Sequence, residues 1–162
     1  MAAESVVAST QADGRWRIAF VATADDPTSV ADLIASDLIT YSLTSDGFNH
    51  TVTQAKAEDK RLTLDQDLSR PGRITEDLEV TYVRSADVAS AHALLTKGVE
   101  GYLVVRRGVD NATEWTVGDK VDIYEFVAGM QRPNAPTENG VDTLTSTLYI
   151  TAPTLQGVTL VA

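Results

Sequence analysis

The chain contains no cysteine, and this absence removes several kinds of chemistry at once. Disulfide frameworks, thiolate metal sites and cysteine nucleophiles are all excluded. Histidine is nearly as scarce, because His50 and His92 are the only two and stand far apart in the sequence. No HExxH pair, GxSxG elbow, P-loop or GxGxxG fingerprint occurs. We therefore expect no catalytic residue, no metal site and no cofactor.

Basic residues are few relative to acidic ones. The chain has 13 Lys and Arg against 23 Asp and Glu, which gives a formal net charge of −10. A protein that grips nucleic acid needs clustered cations to bind phosphates, so the balance argues against that class. Two interpretations stay open: a charge that serves solubility alone, and a surface past which a polyanion moves without sticking.

Long hydrophobic runs are also missing. No window approaches the ~20 consecutive apolar residues of a membrane-spanning helix. Residues 1–14 lack the basic start and apolar run of a signal peptide, and their small polar composition predicts a mobile N-terminal arm. We therefore expect synthesis in the cytoplasm and no contact with a membrane.

The pattern that is present is the period-two alternation typical of β-strands. It predicts strands at residues 15–22, 37–44, 101–107, 120–128, 142–151 and 156–162. The strand at 120–128 is apolar on both faces and is therefore expected to be either central or covered by a neighbour. Short and longer helices are expected at residues 29–35 and 85–97, the latter with an apolar stripe of Val88, Ala91, Leu94 and Leu95. The 162 residues suit one domain. The expected fold is a mainly β sandwich or barrel with one flanking α-helix and a long β-hairpin.

The long hairpin is predicted over residues 61–84, with a turn at Arg70-Pro71-Gly72. Leucine, isoleucine and valine alternate there with acids and hydroxyls, so one face is apolar and the other acidic. Glu76 is the exception, because it shares the apolar parity and is expected to pair with Arg61 or Arg73. The acids on the polar face are Asp65, Asp67, Asp77 and Glu79.

The polar segment at residues 45–60 is predicted to be a loop. A connection longer than ~12–15 residues inside a compact domain is usually functional or disordered. We expect this segment to contact something outside its own domain, and the candidate contact residues are Phe48, Asn49, His50 and Thr51.

Two features could have indicated binding or catalysis. Paired carboxylates can perform acid–base chemistry on sugars, but such sites usually carry aromatic residues, and Trp16 and Trp115 are the only tryptophans. Arg106 and Arg107 end a strand, where they could grip a phosphate or carboxylate or form a salt bridge between subunits.

Several local strings, in a fixed order, carry a family resemblance. They are LITYSLTSDGFN at 38–49, PGRITEDLEVTYV at 71–83, LTKGVEGY at 95–102 with VVRRGV after it, GDKVDIYEFV at 118–127, and the closing TSTLYITAP. From about residue 28 to the C-terminus, the chain resembles the major tail (tube) proteins of long-tailed bacteriophages, especially those of actinobacterial hosts. These motifs are structural and not catalytic.

The resemblance implies a β-sandwich that assembles as hexameric rings, stacked into a hollow tube through which DNA leaves the capsid. It implies a structural protein of the virion, with tape-measure, tail-tip and terminator proteins as partners and DNA passing without specific binding. On this basis we expect the acidic hairpin residues to line the lumen and residues 45–60 to join one ring to the next, although which hairpin face lines the lumen stays open. The alternative is a β-sandwich module that binds carbohydrate or a host surface, which would need an exposed aromatic platform.

Overall fold

The computed structural model of the protein describes residue 9, residues 11–60 and residues 68–162. These residues form two short α-helices, α1 (Val30–Ala35) and α2 (Ala91–Leu94), and a 3₁₀ turn at Thr40–Ser42. They also form nine strands: β1 (Trp16–Ala22), β2 (Asp37–Leu38), β3 (Leu43–Asp59), β4 (Leu68–Val83), β5 (Glu100–Arg107), β6 (Lys120–Ala128), β7 (Arg132–Pro133), β8 (Thr143–Ile150) and β9 (Leu155–Thr159).

The strands pair into one sheet in the order β2-β1-β5-β6-β8-β4-β3, with β7 added to β8 and β9 added to β6. Every strand pair is antiparallel. The prediction of a mainly β protein is therefore confirmed. Of the two positions expected for the strand at 120–128, β6 takes the central one, because it pairs with β5, β8 and β9.

The sheet is rolled. Its two outermost strands, β2 and β3, are joined by residues 39–42, which can span at most ~14 Å. Seven strands laid flat would separate these edges by ~29 Å at ~4.8 Å per strand. The rings of Trp16 on β1 and Phe48 on β3 lie 5.6 Å apart, and those of Phe48 and Tyr124 on β6 lie 5.8 Å apart. Side chains therefore close the seam between the two edges.

Two apolar clusters stabilise the roll. The inner core lies within it and draws from all the long strands and α2. Its fully buried members include Tyr82, Leu95, Leu103, Phe126 and Leu148. The second cluster covers the opposite face of β1, β5 and β6, beneath α1 and the C-terminal residues, and contains Ala19, Val21, Leu33, Val104, Trp115, Val121, Ile123 and Leu160.

The predicted hairpin and the predicted loop are both wrong in their boundaries. Residues 70–72 do not form a turn but lie within β4, where Pro71 pairs with Lys56. Residues 45–59 are not a loop but belong to β3, the partner of β4 over its whole length. Pro71 is tolerated because β4 has no second neighbour there. At Gly72, a Cβ would approach the Ala55 carbonyl oxygen to 2.8 Å, so the backbones meet too closely there for a side chain.

Two further predictions need correction. The strand predicted at residues 37–44 is divided in two: residues 37–38 form β2 and residues 43–44 begin β3, because the chain bends at the 3₁₀ turn to cross the seam. The helix predicted at residues 85–97 is only α2. The side chain of Asp87 accepts a hydrogen bond from the Ala89 amide at 3.1 Å, and that of Ser90 accepts one from Ala93 at 3.4 Å. These local bonds favour a turn ahead of the short helix.

The apolar stripe predicted for that helix is present only in part. Ala91 and Leu95 are fully buried in the inner core and Leu94 packs against it, but Val88 is 82% exposed. The difference follows from the turn, which removes Val88 from the helical repeat.

Leu95 and Val88 offer a matched test of this packing. Leu95→Ala should lower the free energy of unfolding by ~2–5 kcal/mol, because it leaves a cavity in the inner core. Val88→Ala should change it by less than ~0.5 kcal/mol, since the side chain is already in water. Urea denaturation of dilute protein measures both, and equal losses for the two variants would contradict the packing described.

Candidate functional site: the arm and the threonine face

A two-stranded arm extends from the rolled body. The pairing of β4 with β8 ends at Leu78, whereas its pairing with β3 continues to Leu68 opposite Asp59. Among the described residues, 51–59 and 68–77 therefore pair only with each other, and we call this ribbon the arm. The ten residue-to-residue steps from Leu78 to Leu68 correspond to a length of ~33 Å. Nearly all of the side chains in the arm are exposed.

The arm carries apolar side chains that its own fold does not cover. Val52 is 50% exposed, Ile74 is 53% exposed and Leu68 is 46% exposed. The register pairs Val52 with Glu76 and Gln54 with Ile74, so Val52 and Ile74 are diagonal neighbours on one face. An isolated two-stranded hairpin is marginally stable in water. The arm therefore has the composition of a segment that packs against another molecule.

A small polar cluster lies where the arm joins the body. His50 Nε2 lies 3.4 Å from Glu76 Oε2, and the Thr154 hydroxyl donates to the same carboxylate. The His50 ring meets Tyr124 edge-on, with centroids 4.9 Å apart. The predicted Glu76–Arg73 pair is thus wrong, because the Glu76 carboxylate contacts His50 and Thr154 instead. The other predicted partner, Arg61, lies outside the described residues.

The face of β3, β4 and β8 that points away from the inner core is rich in hydroxyls, and we call it the threonine face. Its members alternate with core residues, as the register Thr81↔Thr145 and Glu79↔Thr147 requires. The Thr81 and Thr145 hydroxyls are 2.9 Å apart. The strands place Asn49, Thr51, Asp77, Glu79, Thr81, Thr145 and Thr147 on this face.

The structure describes two of the four acids predicted on the polar hairpin face. Asp77 and Glu79 share the threonine face, with Asp77 exposed and Glu79 paired with Arg132. Asp65 and Asp67 lie outside the described residues. The Arg132 pair was missed from the sequence, because it depends on β7 pairing with β8 at Arg132↔Thr145. It leaves Asp77 as the unneutralised acid on the described part of this face.

The four residues predicted as one contact segment point in two directions. Phe48 packs against the inner core and His50 lies in the cluster at the base of the arm. Asn49 and Thr51 are exposed on the threonine face. The segment is a strand, so neighbouring side chains face opposite sides, and the four cannot form a single surface.

Arg106 and Arg107 are structural and do not form a phosphate site. Arg106 is 1% exposed, donates to Asp119 Oδ2 at 2.7 Å and to the Glu114 carbonyl at 2.9 Å, and lies 5.1 Å from the Trp115 ring centroid. Arg107 donates to Asp122 Oδ2 at 2.6 Å. Both guanidinium groups are thus committed within the chain. Arg106 holds residues 110–119 against the sheet.

The described residues provide little for catalysis or for a membrane. Within residues 11–60 and 68–162, no group of three or more His, Asp or Glu side chains is placed to hold a metal ion. No helix in the same ranges is long and apolar enough to cross a membrane. Trp115 is 3% exposed and lies under Arg17 and Arg106, and Trp16 is partly buried against Phe48. They do not supply the exposed platform that a carbohydrate module needs.

The described residues thus form a rolled antiparallel sheet from which a two-stranded arm projects. A family model described as phage tail tube protein matches residues 4–162. The chain belongs to the phage tail tube protein family. A search of curated protein sequences finds no match to it. Since this family is structural, the protein is not an enzyme. The resemblance noted in its sequence is confirmed at the level of the phage tail tube protein family.

The Arg106–Asp119 pair makes a prediction about pH. Burial alone would raise the pKa of Asp119, but hydrogen bonds from Arg106 and Thr116 and the Arg106 charge lower it. Because the pKa of Asp119 is lower in the folded protein, its ionised carboxylate stabilises the fold at any pH above the unfolded-state pKa of about 4. This stabilisation is lost as the pH falls through the lower, folded-state pKa. Asp119→Asn should therefore cost ~1.5–3 kcal/mol near pH 7, and less as the pH falls below about 4.

Urea denaturation across this pH range measures the effect. Asp142→Asn is the matched control, because Asp142 pairs with Arg84 where both side chains are more than half exposed, and such pairs contribute little. If the difference in unfolding free energy between wild type and Asp119→Asn stayed constant down to low pH, the stabilising role of the ionised Asp119 carboxylate would be contradicted.

Proposed function

We propose that the protein forms the wall of the tail tube of a long-tailed, siphovirus-type phage. Copies of the chain assemble into hexameric rings, and the rings stack into a hollow conduit for the genome. The observation that carries this proposal is the arm, which extends ~33 Å beyond the rolled body and is flanked by no other strand among the described residues. An extension with side chains this exposed is suited to a contact between subunits and contributes little to the stability of a free monomer.

The arm is the inter-ring element in this proposal. Its exposed Val52 and Ile74 supply an apolar face, and burial of such side chains stabilises a contact by ~1.5–3 kcal/mol each. In the part of the chain that the structure describes, β3 pairs with β4 alone, so the outer edge of residues 51–57 is open to a neighbouring strand. A neighbouring subunit that covers this edge also removes the aggregation hazard of an open strand.

The threonine face is the lumen wall in this proposal. Asp77 and Glu79 lie on it, and six copies would repeat them around each ring. Hydroxyls and acids give DNA phosphates no cation to bind, and Arg132 is neutralised by Glu79. DNA then passes without specific contact. Asp65 and Asp67 would extend the same wall if they share this face.

The proposed partners follow from the same role. The protein is made in the host cytoplasm and ends in the virion, in the tail. Its main partner is itself, with tape-measure, tail-tip and terminator proteins at the ends of the tube. The chain's net charge of −10 accords with a conduit for a polyanion.

Electron microscopy of concentrated protein tests the proposal, with rings or tubes expected. Ile74→Asp should abolish stacking, because it places a charge in the apolar contact. Ile34→Asp is the matched control, since Ile34 is 58% exposed on α1, away from the arm, and it should still give tubes. Tubes from Ile74→Asp that match wild type in length and number would contradict the role of the arm, and wild-type protein that never forms rings would overturn the function itself.

Genome release tests the lumen assignment. Asp77→Lys should leave tubes intact but slow DNA ejection from purified particles, because six new cations per ring would bind phosphates. The delay should shrink as salt is raised, since phosphate binding by cations is weakened by salt.

Asp25→Lys makes the same charge change in an exposed turn of the body and should leave the rate unchanged. Equal delays for the two variants would place the threonine face outside the lumen.

A further inference from the structure

We infer that Glu76 is a positioning residue, clamped between His50 and Thr154, which sets the direction of the arm relative to the body. The inference rests on the proposed function, because it matters only if the arm contacts another subunit. It concerns the free chain before assembly, and it assigns an assembly role to a carboxylate that points towards the inner core and not towards the threonine face.

The backbone alone leaves the arm poorly restrained. Beyond Leu78, no strand of residues 11–60 or 68–162 flanks β4 on its far side, and none of them covers the outer edge of β3. A two-stranded ribbon held only by its own ladder can bend and twist at its root, because sheet hydrogen bonds restrain the two strands relative to each other and not relative to the body. The direction of the arm therefore depends on side chains at this root.

Glu76 supplies that restraint. It belongs to the arm, two residues beyond Leu78 and on the same face of β4. Thr154, which donates to Glu76 Oε2, lies in the link between β8 and β9 and so belongs to the body. The Glu76 side chain is 23% exposed and that of His50 is 11% exposed, so water competes weakly for these contacts.

The body side of the clamp is itself rigid. The His50 ring lies against Tyr124, whose hydroxyl accepts a hydrogen bond from Arg107 at 3.2 Å. Arg107 is also fixed by Asp122 at 2.6 Å and lies 5.0 Å from the Trp16 ring centroid. Glu76 thus ties the arm to the aromatic side chains that close the seam of the roll.

A fixed direction raises the rate and strength of assembly. A partner binds only the fraction of molecules whose arm points correctly, so the apparent association constant falls in proportion to that fraction. If release of the clamp leaves about a tenth of the molecules in the competent direction, association weakens about tenfold.

The direction of the arm can be measured without assembly. The native chain has no cysteine, so nitroxide labels can be placed at Ser69→Cys on the arm and Lys97→Cys on the body, both exposed positions. Electron–electron double resonance on dilute protein then gives the distribution of distances between arm and body.

Four variants are compared in this background. Thr154→Ala and Glu76→Ala remove the clamp, and Glu76→Gln keeps an acceptor for the Thr154 hydroxyl. Thr151→Ala is the matched control, because Thr151 lies in the same link but contacts Glu125. We expect broad distance distributions for Thr154→Ala and Glu76→Ala and narrow ones for Glu76→Gln and Thr151→Ala. All four variants should have nearly equal melting temperatures. Assembly should be about tenfold weaker only for the variants with a broad distribution.

Two results would overturn the inference. One is a Thr154→Ala distribution as narrow as that of Thr151→Ala, which would mean that the backbone alone sets the direction. The other is a broad distribution with assembly unchanged, which would remove the positioning role. The distances are measured on the monomer, so they test the clamp even if the wild-type protein forms no tubes. A lack of tubes would contradict the proposed function and not the clamp.

Discussion

The short connection at residues 39–42 is the constraint on which the rest of the structure depends. It joins the two outermost strands of one sheet, so the sheet has to roll until its edges meet. Ile39 is buried within the inner core at this crossing, and Trp16, Phe48 and Tyr124 close the seam with rings that meet edge to face. Aromatic packing thus replaces the backbone ladder that would close a regular barrel.

The roll also explains why an arm exists. The body uses only the part of β4 that pairs with β8, and the remaining length of β3 and β4 has no surface of its own chain to cover. The same two strands therefore serve the inner core, the threonine face and the arm, because period-two alternation separates the faces and position along the strand separates body from arm. A phage tail tube protein has to contact copies of itself, and this division leaves surface free for that purpose.

The sequence predicted best those strands that bury one or both faces. β1, β5, β6 and β8 were recognised nearly to the residue, because burial imposes a visible alternation or a continuous apolar run. The alternation does not reveal the strand at residues 45–59, because over residues 51–59 both faces of the arm meet water and the hydrophobic signal disappears. The sequence pattern also predicts too long a helix at α2. Side chains of Asp87 and Ser90 bond the nearby backbone there, so Val88 lies in a turn and not in the helix.

The sequence by itself determined the class of fold, the absence of cysteine chemistry, the acidic balance and the shared face of Asp77 and Glu79. These follow from composition and from the local period of the chain. Only the tertiary structure decided that Glu79 meets Arg132, that Glu76 meets His50 and Thr154, and that Arg106 is buried against Trp115. Each of these contacts joins residues that different strands or loops bring together, and strand order is set by how the whole sheet closes rather than by any local pattern.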